Sequence, residues 1–106
     1  MDLFDLSKMT KGWFVGDFEP NVISSKEFEV AVKEYKKGDS ESKHHHKIST
    51  EITVIAKGKV RMFNSVYESG AIIVIKPNES TAFEALEDTI TVVVKVPSSK
   101  NDKYPG

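Results

Sequence analysis

"GDSESKHHHKISTE" occupies residues 38–51 and contains every histidine of the chain: His44, His45 and His46. Along an extended segment, alternate side chains share a face. His44 and His46 therefore point one way and His45 the other. Glu51 follows five residues after His46. Two imidazoles and a carboxylate form a donor set suited to Fe(II), Mn(II), Zn(II), Ni(II) or Co(II). Three protein ligands also leave positions open for water or a substrate. The run from Lys43 to Lys47 has a plainer reading too, as a solvated polar patch.

Outward from the histidines the patterning has mostly period two. "EFEVAV", residues 27–32, sets Phe28, Val30 and Val32 against Glu27, Glu29 and Ala31. It predicts a strand with one buried face. "EITVIAKGKVRMF", residues 51–63, predicts two strands joined by a tight turn at Lys57-Gly58. "AIIVI", 71–75, is a short apolar strand stopped by Lys76-Pro77, and "TITVVVKV", 89–96, is a β-branched strand ending at Pro97. "WFV", 13–15, supplies an N-terminal strand. Only "STAFEALED", 80–88, argues for a helix, because Thr81 and Glu84 have the spacing of a capping box. Several short strands with frequent turn signals predict an all-β antiparallel barrel or sandwich.

Composition bounds the function. The chain has 106 residues, enough for a single domain with a modest core. Fifteen basic and sixteen acidic residues nearly cancel, and Arg61 is the sole arginine. A nucleic-acid surface needs a basic stripe, preferably with arginine, so neither nucleic acid nor an anionic membrane is an expected partner. With no cysteine, disulfides, thiolate ligands and a cysteine nucleophile are excluded. That composition suits a reducing compartment, and a cytoplasmic location is expected. No apolar run near residue 1 resembles a signal segment, and no window approaches the length of a membrane span.

The glycines around the histidines sharpen the reading. Gly38, five residues, His44, one residue, His46, four residues, Glu51, six residues and Gly58 follow in order. This spacing resembles the first motif of the cupin superfamily, G-x5-H-x-H-x(3,4)-E-x6-G, at every fixed position. A second motif, G-x5-P-x-G-x2-H-x3-N, is partly kept. Gly70 matches; Lys76, Asn78, Thr81 and Ala85 stand where Pro, Gly, His and Asn are usual. The resemblance implies a small single-domain cupin: a double-stranded β-helix, or jelly-roll barrel, over residues 25–97. Residues 1–24 would be an N-terminal strand or arm packing on the barrel or a dimer partner, and 98–106 a tail ordered by Tyr104. It also makes 80–85 a strand.

By the same resemblance, His44, His46 and Glu51 hold a divalent metal ion inside the barrel, and His45 faces away. With Thr81 at the histidine position, three arrangements are open. A water completes the metal's shell, a carboxylate such as Glu84 substitutes, or the barrel binds its ligand without metal. Alternation from Thr81 sends Glu84 outward. The functions implied are a metal-dependent enzyme of dioxygenase or isomerase type acting on a small polar molecule, or a non-catalytic small-ligand or metal-binding module. A homodimer is the expected assembly. Thr53, Met62 and Asn64 are candidate pocket residues, Lys95 and Arg61 are expected at the solvent, and Trp13, Phe14 and Phe18 are expected to pack an N-terminal strand.

Overall fold

The computed structural model describes residues 1–106. Eleven strands form two sheets. They are β1 (Trp13–Gly16), β2 (Ile23–Ser24), β3 (Glu29–Tyr35), β4 (Ser40–His45), β5 (Thr50–Lys57) and β6 (Lys59–Met62). The remaining five are β7 (Ser65–Glu68), β8 (Ile72–Ile75), β9 (Thr81–Ala85), β10 (Thr89–Val96) and β11 (Tyr104–Pro105). One sheet runs β2-β1-β3-β10-β5-β8 and the other β11-β4-β9-β6-β7. All pairs are antiparallel except β1 with β2. The only helical element is a single 3-10 turn at Leu6–Lys8, where the Asp5 carboxylate accepts from the Ser7 N–H at 2.8 Å.

One of the expected local connections changes. β5 and β6 do not form a hairpin: β5 pairs with β10 and β8, whereas β6 pairs with β7 and β9. Gly58 is the corner where the chain passes from one sheet to the other. Its φ of 101° lies in the left-handed region, and a Cβ there would collide with Thr89 and the Asp88 carbonyl. The real hairpin is β6 to β7, closed by Phe63 and Asn64 at φ 48° and 59°. Two successive positive φ values are the signature of a type I′ turn, which phenylalanine in the first position conceals in the sequence. Residues 81–85 are strand, as the resemblance implies. Their alternation buries Thr81, Phe83 and Ala85, and tertiary pairing with β4 and β6 overrides the capping-box spacing.

The apolar core is concentrated at one end of the barrel. Ile55, Val60, Met62, Ile75, Phe83 and Ala85 form one buried cluster, flanked by Tyr35 and Ile73. Tyr35 and Phe83 pack with ring centroids 4.5 Å apart. The rest of the interior is more polar, and it opens into a cavity.

The period-two reading of residues 27–32 has its faces reversed. Ala31 is fully buried, whereas Phe28 is 41% exposed. Val30 and Val32 lie on the outer side of the sheet. There they continue two cross-strand rows, Val30–Val94–Ile52–Val74 and Val32–Val92–Val54–Ile72. The inward rows are Ala31–Val93–Thr53–Ile73 and Glu29–Lys95–Glu51–Ile75. Lys95 consequently faces the barrel interior and not solvent.

Candidate functional site

The open end of the barrel holds a cavity of about 260 Å³. His44, His46 and Glu51 line it together with Thr53, Met62 and Thr81. β4 delivers the first histidine, the turn after it the second, and β5 the glutamate. The His44 and His46 rings meet edge to face at 5.4 Å between centroids. His45 projects to the other side, where it stacks on Tyr104 at 5.6 Å. Asn64 sits in the β6–β7 turn and takes no part in the cavity. Arg61 lies on the outside, paired with Glu84 at 3.0 Å, so Glu84 is no ligand.

The hydrogen bonds fix the histidine tautomers. His44 Nδ1 lies 3.0 Å from the Ser42 carbonyl, and His46 Nδ1 bonds to the Asp102 carbonyl. A carbonyl only accepts, so each Nδ1 carries a proton and each neutral ring keeps its lone pair on Nε2. Backbone acceptors on the distal nitrogen are what orient metal-bound imidazoles in general. His46 Nε2 is buried, has no hydrogen-bond partner, and lies 3.5 Å from Glu51 Oε1. A lone pair facing a carboxylate in a buried site is unfavourable unless a proton or a cation lies between them.

Glu51 is charged in this setting. Burial alone would raise its carboxyl, but a proton on His46 Nε2 directed at it, the Lys95 ammonium and the Thr53 hydroxyl outweigh burial and hold it below the ordinary value. Thr53 donates to Glu51 Oε2 at 3.0 Å. The donor chemistry of His44, His46 and Glu51 thus fits a divalent cation. No three His, Asp or Glu side chains are already drawn to ligand spacing, so the glutamate and the rings must swing together to share an ion. Thr81 does not fit as a fourth ligand. Its hydroxyl accepts from the Phe63 N–H at 2.8 Å and donates to the Ala82 carbonyl at 2.7 Å.

Several site residues escaped the sequence. Asp102, in the segment read as a tail, anchors the loop between the histidines and Glu51. Its carboxylate accepts from the backbone N–H groups of Lys47 (2.9 Å), Ile48 (3.1 Å) and Ser49 (2.9 Å). Burial opposes its charge, but these three donors prevail and hold its carboxyl below the ordinary value. β11 adds itself to β4 through Tyr104 and His45. Trp13, Lys33 and Lys95 also line the cavity, so Trp13 belongs to its wall, while Phe18 packs edge-on against Trp13 at 6.4 Å. Only the alternation of β3 and β10 pointed to Lys33 and Lys95, and it pointed there only once their inner faces were known. Tyr35 closes the floor. Burial, with Glu41 adding to it, pushes its hydroxyl far above the ordinary range, so it stays protonated and donates to Glu41 Oε1 at 3.2 Å.

No family model matches the chain, and no curated protein matches it in sequence. Solved structures do match. An uncharacterised conserved protein with a double-stranded β-helix domain from Klebsiella pneumoniae superposes with a TM-score of 0.67 at 18% identity, covering 71% of this chain and 67% of that one. An RmlC-like cupin from Shewanella frigidimarina gives 0.63 at 16%, covering 73% and 71%. The pirin YhhW of Escherichia coli, in complex with nickel(II), gives 0.68 at 11%, covering 83% of this chain but 39% of that one. Identities this low speak for the fold and not for the chemistry. This chain has the cupin fold, an antiparallel double-stranded β-helix.

Proposed function

We propose that this cupin binds a divalent metal ion through His44, His46 and Glu51 and acts on a small polar molecule within the barrel, as an enzyme of dioxygenase or isomerase type. The observation that carries the reading is the buried, unpartnered His46 Nε2 facing a charged Glu51. The ion would supply Lewis acidity toward a substrate oxygen. The chain's own residues do the rest. The Ser42 and Asp102 carbonyls hold the rings with Nε2 inward. Thr53 orients Glu51, and the barrel wall limits water. The nickel(II) bound by the structurally similar pirin is in keeping with this reading.

Metal analysis of the purified, untagged protein is the direct test. We expect Fe(II), Mn(II), Zn(II) or Ni(II) to bind near one per chain. His46→Ala or Glu51→Ala should abolish that binding without unfolding the barrel. Failure of all four ions to bind under reducing reconstitution would overturn the reading. Oxygen consumption and product analysis on small polar substrates then separate enzyme from binder. A non-catalytic module is the second reading, favoured by the fully committed Thr81 hydroxyl, which leaves no fourth protein ligand.

We further read the protein as a cytoplasmic homodimer built on the outer face of the six-stranded sheet. Two rows of four aliphatic side chains lie there, and Ile72 and Val74 are 66% and 54% exposed. A second copy seated on this face would cover these rows. Sedimentation should show a dimer that Val92→Lys converts to a folded monomer, and a wild-type monomer at all attainable concentrations would refute it.

A further inference from the structure

One wall of the cavity carries a feature that metal binding does not use. Lys33 and Lys95 both project inward, and their ammonium nitrogens lie 5.1 and 4.9 Å from the centroid of the same Trp13 ring. The register explains the arrangement. Trp13 pairs with Ala31, whose methyl group leaves space over the sheet. Lys33 stands beside Thr91, one row away from Ala31, and Lys95 stands beside Glu29, one row away on the other side. Two like charges are thus brought to one indole inside a partly enclosed site.

Their compensation by the protein is incomplete. The single ion pair of Lys33, to Glu41, is long at 4.0 Å, and Lys95 makes none within that distance. Lys95 has carboxylates on both sides in its row, but Glu51 is turned to His46 and Glu29 is held near the Ser98 hydroxyl. Burial pushes the Lys33 ammonium below its ordinary value, with Glu41 opposing, as expected for a cation with too little counter-charge. Four lysines line the cavity against three glutamates. One of those, Glu79, already accepts from the Lys76 backbone N–H at 2.7 Å.

A second and independent observation lies deeper in the same cavity. Thr91 is 1% exposed and its hydroxyl has no hydrogen-bond partner. Buried hydroxyls are rarely left unpaired without a ligand or a water to meet them. Thr91 shares the inner face of β10 with Lys95 and is the direct cross-strand neighbour of Lys33. The lysine pair, the orphan hydroxyl and the metal ligands therefore surround one space.

We propose that this space is a binding site for a short-chain carboxylic acid bearing a hydroxyl or keto oxygen, its carboxylate held between Lys33 and Lys95 beside Trp13 and its second oxygen bonded by Thr91. The cavity's 260 Å³ lies just below the usual range for drug-sized ligands, which suits an acid of a few carbons. The inference deepens the enzyme reading by naming a substrate class, and it rests on that reading only for the reaction, not for the binding.

Calorimetric titration with lactate and pyruvate, each against its uncharged amide, tests it in metal-free and metal-loaded protein separately. The acids should bind and the amides should bind at least tenfold more weakly. Lys33→Met and Lys95→Met should each weaken acid binding about tenfold or more with melting temperature near wild type, and Lys33→Met should leave metal uptake near wild type. Thr91→Val should remove the preference for lactate over propionate. Equal binding of acid and amide, or wild-type affinity in both lysine variants, would overturn the proposal. Metal uptake without acid binding sinks this inference and leaves the metal site standing. Acid binding in a wild-type protein that takes up none of the four ions does the reverse.

Discussion

The two faces of the six-stranded sheet depart from the usual arrangement. Antiparallel sheets commonly turn apolar side chains to the core and polar ones to water. Here the inner face mixes Glu29, Lys33, Glu51, Thr53, Thr91 and Lys95 with Ala31, Ile55, Ile73, Ile75 and Val93, while the outer face carries Val30, Val32, Ile52, Val54, Ile72, Val74, Val92 and Val94. The inner face holds its charges because they are arranged against one another and around a cavity. The outer face holds its aliphatic rows because cross-strand neighbours half-bury each other. The difference teaches that this interior is built as a container. Its apolar packing is confined to the closed end, where Ile55, Val60, Met62, Ile75, Phe83 and Ala85 meet.

Breaking the closed end should therefore cost most. Ile55→Ala removes a fully buried side chain from that cluster and should destabilise by about 3–4 kcal/mol in chemical denaturation. If the loss is under about 1 kcal/mol, the closed end is not the main apolar anchor and the contrast fails.

Next comes the strap across the polar end. Asp102→Asn keeps the shape but removes the charge that binds three backbone donors, and should cost on the order of 2 kcal/mol at pH 7. Because the folded carboxyl titrates below its ordinary value of 3.8, its contribution is fully present above that value. It fades as pH falls through the lower folded value. The stability gap between wild type and Asp102→Asn should accordingly be flat from pH 7 to 5 and close below pH 4. A gap that widens in acid would contradict the assigned charge state.

The outer face should respond less. Val54→Thr preserves shape and β propensity, so the cost within one barrel should be about 1 kcal/mol or less, read by thermal melting. A larger loss that depends on protein concentration would mean the face is covered by a second copy. The smallest effect is expected for Arg61→Ala. Its exposed pair with Glu84 should contribute about 0–1 kcal/mol and vanish in high salt.

Much of the fold was legible because β strands write their period into the sequence. "TITVVVKV" is β10 from its first residue to its last, and "AIIVI" contains β8. The cupin resemblance chose strand over helix for Thr81–Ala85, where the local spacing was ambiguous. Which face of β3 points inward was not legible. Alternation gives two faces, and hydrophobicity nominated the wrong one, because a charged interior is stabilised only by partners from distant strands. Lys33, Thr91 and Trp13 were invisible as a group for the same reason: they come from β3, β10 and β1, adjacent in the sheet but far apart along the chain.

The sequence alone determined a strand-rich chain and a histidine pair split by a bystander, with a glutamate five residues on. Local alternation and turn chemistry suffice for that. Only the tertiary structure decided that Asp102 braces His46, that the Thr81 hydroxyl is already committed, and that two lysines share one indole within the barrel. Each depends on residues whose meeting is set by strand order and register, and strand order and register are fixed only when both sheets close around the cavity.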